Sequence, residues 1–412
     1  MKELFLRIRQ QVGQMFGYLW AYGGTLAVLA LLIGVLGVGI LYTAREDDAS
    51  TLSAAEGNYR YFTGVYNVAA ASVPVGIGLL PVCSAPGGTE HIRFEYAADG
   101  KLKRLVYVGT DGVPRAMPGS LVAEQRVRYD GAGNVIEKSN FDAGGKPVAD
   151  ASGVATRLYE YDSAGHLVRS VMRAADGTEI VPRMPGYAEK RISYDSQGRP
   201  VRILFLDGAG KPVTNAIGEC DVRFLYNESG LSQRRVNLIN GATADNANGI
   251  AIEKKSTTSD GAVTQTRWMN AAGAPVVHPG VGAHAVLEEH TPADKMKRTR
   301  YYDAGDSLFA SPRTHAEHVV RTDSADRTEW ECYRGADGLP CNNAALGYAE
   351  RVCEYGNDGA LRKEFFWDAV GNPAPCYEKR YIEQGGARYE LALLADGSTR
   401  VRRLEPSENQ AL

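Results

Sequence analysis

Short runs of alternating apolar and charged residues recur along the chain from about His91 onward. Arg126–Tyr129 reads Arg, Val, Arg, Tyr, and in Tyr159–Tyr161 a glutamate separates two tyrosines. Alternation with a period of two is typical of β-strands that have one buried and one solvated face. Most runs end at Asp or Asn followed three residues later by Gly, a pairing that suits tight turns. The pattern therefore predicts antiparallel β-hairpins.

Two series of turn glycines indicate that the hairpins repeat. In intact units the first-turn and second-turn glycines lie twelve residues apart, and successive units are offset by 31 to 33 residues. Self-similarity at such a period is typical of arrays in which neighbouring units supply each other's core. We therefore expect an all-β fold, an elongated antiparallel β-hairpin repeat array of about nine units over residues 91–376. The first-turn glycines are Gly100, Gly133, Gly165, Gly198, Gly230, Gly261 and Gly359, and the second-turn glycines are Gly112, Gly145, Gly177, Gly210, Gly273, Gly305, Gly338 and Gly371.

A tyrosine precedes the first turn in most units. Because each unit must bury apolar surface against its neighbours, we expect these tyrosines to form the repeat core. The pattern decays in the middle of the array, where Ala242 replaces a second-turn glycine and Pro292-Ala293-Asp294 replaces a first turn. The tyrosines are Tyr96, Tyr129, Tyr161, Tyr194, Tyr226 and Tyr355.

Atypical segments flank the repeats. Residues 59–90 are almost uncharged and are expected to cap the first sheet edge, with an interface to a membrane or a partner as the alternative. Residues 377–412 are expected to form a capping hairpin and a polar tail.

The chain begins with a long apolar segment. No charged residue lies between Gln10 and Ala44, and the 28 residues from Met15 to Tyr42 are enough to span a bilayer with some tilt. We therefore expect one transmembrane helix at residues 15–44, after an N-terminal segment at 1–14 and before a polar linker at 45–58. A cleaved signal peptide is the alternative.

The charges that flank this helix predict its orientation. Lys2, Arg7 and Arg9 precede it, and a single Arg45 followed by three acidic residues comes after it. The positive-inside rule then places the N-terminus in the cytoplasm and the bulk of the chain in the periplasm or outside the cell. The expected location is a bacterial inner membrane, crossed once.

Composition and motifs exclude several classes of function. The formal net charge is −3, which does not favour binding to nucleic acid. The sequence contains no nucleophile elbow, phosphate-binding loop, zinc-protease helix or dinucleotide-binding fingerprint. We therefore expect neither enzymatic activity nor a cofactor.

The repeat resembles a known bacterial family. Tyr-Asp-x-x-Gly followed by an apolar and basic run, as at Tyr129-Asp130, Tyr161-Asp162 and Tyr194-Asp195, is similar to the YD or RHS-type repeats of bacterial cell-surface proteins. The resemblance covers residues 91–376 and implies a long β-sheet outside the cytoplasm.

The six cysteines all follow the predicted helix, so an oxidising compartment makes disulfides a candidate. Cys332 and Cys341 flank the turn at Asp337-Gly338 and can face each other across a hairpin, and Cys353 and Cys376 can then pair. Buried reduced thiols are the alternative.

Five of the seven histidines lie between residues 278 and 318. His290, His315 and His318 are candidates for a metal site because imidazole nitrogens bind transition metals. Sequence drift in a tolerant repeat explains the same cluster, and we expect no metal site.

The expected function is that of a membrane-anchored scaffold that binds one or more protein partners in the cell envelope along its laterally repeated surface. A module that binds glycans or the cell wall is one alternative, and it requires solvent-exposed rows of aromatic residues. A subunit of an envelope sensor or secretion complex is the other, and it requires the membrane helix to pair with further helices.

Overall fold

A computed structural model describes residues 59–66, 71–79, 87–310, 315–384, 387–394 and 396–404. The predicted N-terminal segment, transmembrane helix and linker at residues 1–58 lie outside the described residues, as does the polar tail at 405–412. In the described part no helix is long and apolar enough to cross a membrane.

The described residues form β-strands joined by turns, with a single 3-10 turn at Pro292–Asp294 and no α-helix. Every paired strand is antiparallel to its neighbours, which confirms the predicted all-β hairpin array. The first strands are β1 Tyr59–Tyr66, β2 Val75–Leu79, β3 His91–Tyr96, β4 Leu102–Val108, β5 Glu124–Tyr129, β6 Val135–Phe141, β7 Thr156–Tyr161, β8 Leu167–Arg173, β9 Glu189–Tyr194, β10 Pro200–Leu206, β11 Asp221–Tyr226 and β12 Ser232–Ile239. The later strands are β13 Ala242–Thr243, β14 Ile252–Thr257, β15 Val263–Met269, β16 Ala285–Thr291, β17 Met296–Tyr302, β18 Glu317–Thr322, β19 Thr328–Arg334, β20 Glu350–Tyr355, β21 Leu361–Trp367, β22 Pro373–Gln384, β23 Ala387–Leu394 and β24 Thr399–Arg403.

Contacts between residues divide the chain into two compact units. The first unit contains the described residues up to Arg223 together with Asn237–Ala242. The second unit contains Phe224–Val236 and the described residues from Thr243 onward.

The turns explain the recurring Asp and Gly. At the tip of the β5–β6 hairpin, Asp130 Oδ1 accepts hydrogen bonds from the backbone N–H groups of Ala132 and Asn134, at 2.9 and 2.8 Å. Gly133 closes the turn with φ of +90°, a conformation that costs glycine little because it has no Cβ. The glycines predicted at turns have positive φ, with one exception. At the turn that contains Gly305, the neighbouring Asp306 has positive φ instead. Asp306 adopts it because Asp and Asn tolerate the left-handed region better than other residues with a Cβ.

The period of the array follows from the strand positions. Nine hairpins begin between His91 and Glu350 in the described part, and their first strands are offset by 31 to 33 residues. The strand β22 is continuous across residue 376, where the repeats are predicted to end. This strand pairs with β21 on one side and β23 on the other, so the sheet continues past the last repeat.

Each strand alternates between two faces of the sheet. In the first unit one face carries Phe94, Val127 and Ile192, which are buried, and we call it the buried face. Across the strands, Phe94 lies opposite Leu105 and Ile192 lies opposite Ile203, so apolar side chains meet there. The opposite face carries mainly charged side chains and is called the charged face.

The repeated tyrosines connect successive hairpins in a way that their spacing alone does not reveal. Within the first unit, the hydroxyl of Tyr194 donates a hydrogen bond of 3.0 Å to the carbonyl of Leu167 in the preceding hairpin. Tyr129 and Tyr161 make the same bond to Leu102 and Val135. Each tyrosine is half-buried, and the deepest core position lies two residues earlier on the strand. The tyrosines therefore act as links between units, and the residues two positions earlier take the deepest core positions.

A small residue six positions before the tyrosine completes the link. Ala155 and Ala188 are fully enclosed, and their backbone N–H groups donate to the carbonyls of Arg173 and Leu206 at the end of their own hairpins. The carbonyl of Ala188 accepts a hydrogen bond from Met172 N–H in the preceding hairpin. A larger side chain would collide with neighbouring strands at these positions.

Replacing the hydroxyl of one linking tyrosine tests this role. We expect Tyr194→Phe to lower the free energy of unfolding by about 1 kcal/mol, because the Leu167 carbonyl loses its partner. Urea unfolding followed by far-UV circular dichroism measures the change. Tyr377→Phe, at a tyrosine outside the row, is the control, and equal effects of the two substitutions would contradict the proposed link.

Candidate functional site

The charged face of the first unit carries a repeated cluster of two arginines and one carboxylate. On this face in strands β3 to β11, nine arginines outnumber six aspartates and glutamates, so the face carries an excess of positive charge. The acidic residues are concentrated in the turns, where Asp side chains accept backbone hydrogen bonds. The face is therefore more basic than the net charge of the chain suggests.

The cluster at β8 and β9 has the clearest geometry. Arg169 Nε and Nη2 lie 2.7 and 3.1 Å from the two carboxylate oxygens of Glu189, which is a bidentate pair. Arg191, two residues further along β9, places its Nε 2.5 Å from Glu189 Oε1. The Glu189 side chain is 3% exposed and that of Arg191 is 55% exposed. One buried carboxylate thus holds two guanidinium groups, one of which faces solvent.

The next hairpin repeats this arrangement. Arg202 binds Asp221 through Nε and Nη2 at 2.8 and 2.9 Å, and Arg223 Nη2 lies 2.9 Å from Asp221 Oδ2. The Arg223 side chain is 47% exposed. The two clusters therefore share both their bidentate pair and their exposed arginine.

A third cluster of the same kind lies at β4 and β5. Arg126 Nε is 2.7 Å from Glu124, and Arg104 Nη1 is 3.4 Å from the same oxygen. The hairpin between this cluster and the one at β8 and β9 has Glu137 and Leu158 at the arginine positions. We refer to the three sets as the arginine clusters; their members are Arg104, Glu124, Arg126, Arg169, Glu189, Arg191, Arg202, Asp221 and Arg223.

Strand register forces the arginines of each cluster to face each other. Arg104 lies opposite Arg126, Arg169 opposite Arg191, and Arg202 opposite Arg223. Like charges directly opposite each other destabilise a sheet, so the buried carboxylate between them is needed to hold the pair. Arg169 also pairs with Glu160 at 2.7 Å, and Arg104 with Glu95 at 2.5 Å. Of the three clusters, the one at β10 and β11 therefore keeps one unit of positive charge.

Hydrogen bonds favour the ionised forms of Glu189 and Asp221. Hydrogen bonds from Arg169 lower the pKa of Glu189, and they outweigh the effect of burial. Burial raises the pKa of Asp221, but the hydrogen bonds from Arg223 and Arg202 outweigh it, so the net pKa is lowered. The same contacts raise the pKa of Arg169 and Arg223. A guanidinium has five N–H donors, so the exposed arginines retain donors for an external anion.

Sequence analysis did not identify these clusters, although a signal exists. The acidic residue lies five positions before the repeat tyrosine or its equivalent, and the outer arginine lies three positions before it. Glu189 and Arg191, which precede Tyr194, are an example. The inner arginine is the third residue of the preceding strand. Only the cross-strand register shows that these positions meet.

In the second unit, charged side chains lie on the face that corresponds to the buried face of the first unit. Arg351 lies between two carboxylates, with Nε 2.9 Å from Glu331 and Nη1 2.9 Å from Glu364. His318 Nε2 lies 3.4 Å from Glu331, and Lys379 lies opposite Glu364 on the next strand. We call His318, Glu331, Arg351, Glu364 and Lys379 the charge ladder.

Tyrosines complete the hydrogen bonding of the charge ladder. Tyr348 donates to Glu331 and Tyr381 donates to Glu364, each at 2.5 Å. Burial raises the pKa of Glu331, but its hydrogen bond with His318 and the charge of Arg351 outweigh burial, so the net pKa is lowered. Because its charges are paired within the protein, the ladder is suited to stabilising the sheet rather than to binding a ligand.

The structure does not bring the predicted metal ligands together. The rings of His315 and His318 lie 6.3 Å apart, but His290 is exposed on β16, two strands away from His318. Among the described residues no group of three His, Cys, Asp or Glu side chains is placed to hold a metal ion. His318 instead stacks on Tyr333 at 4.5 Å.

The cysteines are free thiols in the part of the chain that the structure describes. Cys332 and Cys353 are buried, and Cys341 and Cys376 are partly exposed. Burial raises the pKa of Cys353 to about 11. The pairing of Cys332 with Cys341 and of Cys353 with Cys376 stays a prediction, and Cys83 lies outside the described residues.

The aromatic side chains are largely committed to internal contacts. Trp268 is buried and donates from Nε1 to Glu253 at 3.0 Å. Trp330, Phe365 and Trp367 share the charged face of the second unit and are partly exposed. Trp330 donates to Glu350 at 2.6 Å. The half-buried tyrosine rows therefore lack the exposure that a glycan platform requires.

No protein-family model and no curated protein matches the chain. Solved structures that are similar to it include a crystal structure of TcdB2-TccC3-TEV, with 11% sequence identity, a TM-score of 0.36, and coverage of 75% of this chain and 14% of that chain. A crystal structure of TcdB2-TccC3-Cdc42 has 12% identity, a TM-score of 0.28, and coverage of 76% and 15%. A structure of the Photorhabdus luminescens Tc holotoxin pore that carries a TccC3 mutation has 12% identity, a TM-score of 0.21, and coverage of 75% and 17%.

This chain thus spans less than a fifth of the length of those chains. At these TM-scores the likeness carries no argument about family or activity.

The charge ladder gives a prediction about acid stability. The lowered pKa of Glu331 means that its ionised form stabilises the folded state above about pH 4.5, and that this contribution is lost as the pH falls through the folded pKa. We expect Glu331→Gln to lower the free energy of unfolding at neutral pH by about 3 kcal/mol, because Arg351 loses one of its two carboxylates. The stability of the variant is expected to depend less on pH in the acid range.

Urea unfolding between neutral and acid pH measures both effects. Glu329→Gln is the matched control, since Glu329 lies on the same strand but is 48% exposed and pairs with the exposed Arg321. That exposed pair contributes only about 0–1 kcal/mol. Equal losses in the two variants would contradict the role given to the charge ladder.

Proposed function

We propose that this protein is a membrane-anchored, extracytoplasmic β-repeat scaffold that binds a protein partner through the charged face of its first unit. The repetition of the arginine clusters on that face is the observation that carries the proposal. Because charges arranged in a regular pattern give specificity and fast association, the face suits recognition of a partner with a complementary pattern.

The contacts within the clusters favour binding over catalysis. Each cluster consists of guanidinium groups paired with carboxylates, whereas general acid–base chemistry needs a group that titrates near the working pH. The buried Lys138, whose pKa burial lowers to about 7, belongs to the opposite, buried face. We therefore propose that the protein is not an enzyme and needs no cofactor.

The location rests on the sequence. The uncharged helix predicted at residues 15–44, with basic residues before it and acidic residues after it, favours a single-pass inner-membrane protein with a cytoplasmic N-terminus. On this proposal the hairpin array faces the periplasm or the cell exterior. A subunit of an envelope sensor or secretion complex is a special case of the same scaffold.

Fractionation of bacterial cells that produce the full-length chain tests the anchor. We expect the protein to stay in the membrane after carbonate extraction and to be degraded when protease is added to spheroplasts. The variant that lacks residues 1–44 provides the control for extraction. Recovery of the full-length chain in the soluble fraction, or a mature chain that starts after residue 44, would refute anchoring by this helix.

Site-specific photocrosslinking in cells tests partner binding. Ser193 is exposed on β9, two residues from Arg191 on the charged face. A photoreactive residue at this position is expected to give a discrete adduct with another protein. The same residue at Val370, which is 80% exposed in the second unit, is the control. No adduct at Ser193, or equal adducts at both positions, would contradict partner binding through this face.

A further inference from the structure

The arginine clusters carry information about the chemistry of the partner, and this inference rests on the proposed function. In the cluster at β10 and β11 two guanidinium groups share one carboxylate, so a second carboxylate would balance its charge. In the other two clusters the inner arginine also pairs with Glu160 or Glu95, and the outer arginine is the more exposed member. A guanidinium and a carboxylate are both planar and match each other in bidentate geometry. Glu189 and Asp221 already use this geometry inside the protein.

The exposed arginines are available for such a contact. Arg191 and Arg223 are the outer members of their clusters, and about half of each side chain is exposed. Each contacts the buried carboxylate, while the inner arginine, Arg169 or Arg202, already holds that carboxylate through two bonds. The outer arginines can therefore bind an external group without leaving a buried charge unpaired.

The spacing of the clusters limits the shape of the partner. Arg191 lies opposite Leu204 on β10, and Arg202 is two residues from Leu204 on that strand. Two strand spacings of about 4.8 Å and two residues of about 3.4 Å each then separate the neighbouring clusters by about 12 Å. An extended polypeptide covers this distance in about four residues, and residues four apart point to the same side of it.

The surface between the charges is partly apolar. Leu158 and Leu204 lie on the charged face between or beside the clusters and are partly exposed. Polypeptide side chains between the acidic residues can contact these leucines, whereas a phosphate polymer or a lipid headgroup layer offers nothing apolar at that spacing. The alternation of charged and apolar positions thus favours a peptide over other polyanions.

We infer that the partner presents an extended acidic segment, with Asp or Glu at about every fourth residue, to the arginine clusters of the first unit. Its carboxylates bind the outer arginines, and its intervening residues lie against the leucines. The Glu137 and Leu158 pair interrupts the row, so one acidic position of the segment has no arginine to meet.

Fluorescence anisotropy with the purified full-length protein in detergent tests this inference. The probe is a labelled peptide with Glu at every fourth residue on a Thr and Ser background, and a second peptide of equal charge has its glutamates contiguous. We expect the spaced peptide to bind several-fold more tightly, and we expect its binding to weaken as salt is raised. Equal affinity for the two peptides would overturn the spacing argument, and no binding of either at low salt would overturn the inference.

The double variant Arg191→Gln and Arg223→Gln is expected to weaken binding of the spaced peptide at least tenfold. Its fold is expected to persist because Arg169 and Arg202 still hold the buried carboxylates. The matched control is Lys103→Gln with Arg128→Gln, which removes the same charge from two exposed side chains of the first unit that lie outside the clusters. An equal loss in both double variants would overturn the inference, since it would indicate only a general positive field.

The measurements also distinguish an acidic peptide from a lipid surface and from a second copy of the chain. Tighter binding to phosphatidylglycerol vesicles than to the spaced peptide, or self-association that the Arg191 and Arg223 substitutions abolish, would overturn the peptide assignment in favour of lipid or a second copy of the chain. A Ser193 adduct in cells together with failed peptide binding would refute the acidic segment, but it would agree with the proposed scaffold function. Peptide binding by a protein that gives no adduct in cells would refute the proposed function instead.

Discussion

The hydrogen bond from a strand-end tyrosine to the preceding hairpin is the contact on which the array depends. A two-stranded hairpin is marginally stable in water, so each unit needs its neighbour to bury its apolar side chains. The bond spans 26 or 27 residues at Tyr129, Tyr161 and Tyr194 in the first unit. Tyr355 makes it in the second unit. A constant separation of this kind sets the offset between hairpins and thereby the period of the whole array.

Side chains beside the tyrosine strengthen the same contact. His166 stacks on Tyr194 at 4.7 Å, and Arg327 lies over Tyr355 at 4.4 Å, each from the turn of the preceding hairpin. In the last hairpin Arg388 takes the place of the tyrosine and donates to the carbonyl of Leu361 at 2.8 Å. The position therefore requires a hydrogen-bond donor that reaches the neighbouring backbone. A tyrosine hydroxyl supplies it in earlier hairpins such as that of Tyr194, and the Arg388 guanidinium supplies it in the last one.

The two units use charge differently although they share this frame. In the first unit paired charges lie on the solvated face, where the outer arginines remain partly exposed. In the second unit Glu331, Arg351 and Glu364 lie on the buried face, where hydrogen bonds from tyrosines are needed to offset their loss of water. The exposed arginines of the first unit are therefore available for binding. The buried charged groups of the second unit bind each other and stabilise the fold.

The strands, their turns and their period can be read from the sequence alone. These features depend on local chemistry: glycine accepts positive φ, aspartate accepts hydrogen bonds from its own turn, and alternation separates two faces. The sequence also exposed the decayed units, since Pro292 and Ala242 break the local pattern. It did not show that Asp306 would replace a glycine, because the positive φ at this position depends on the closure of the whole turn.

Which charged side chains meet depends on the folded arrangement of the strands. Arg169, Glu189 and Arg191 are up to 22 residues apart along the chain, and the charge ladder from His318 to Lys379 crosses five strands. Such contacts depend on cross-strand register, and a change in register by one residue moves every side chain to the other face. Local pattern cannot specify register, because register follows from the packing of one hairpin against the next.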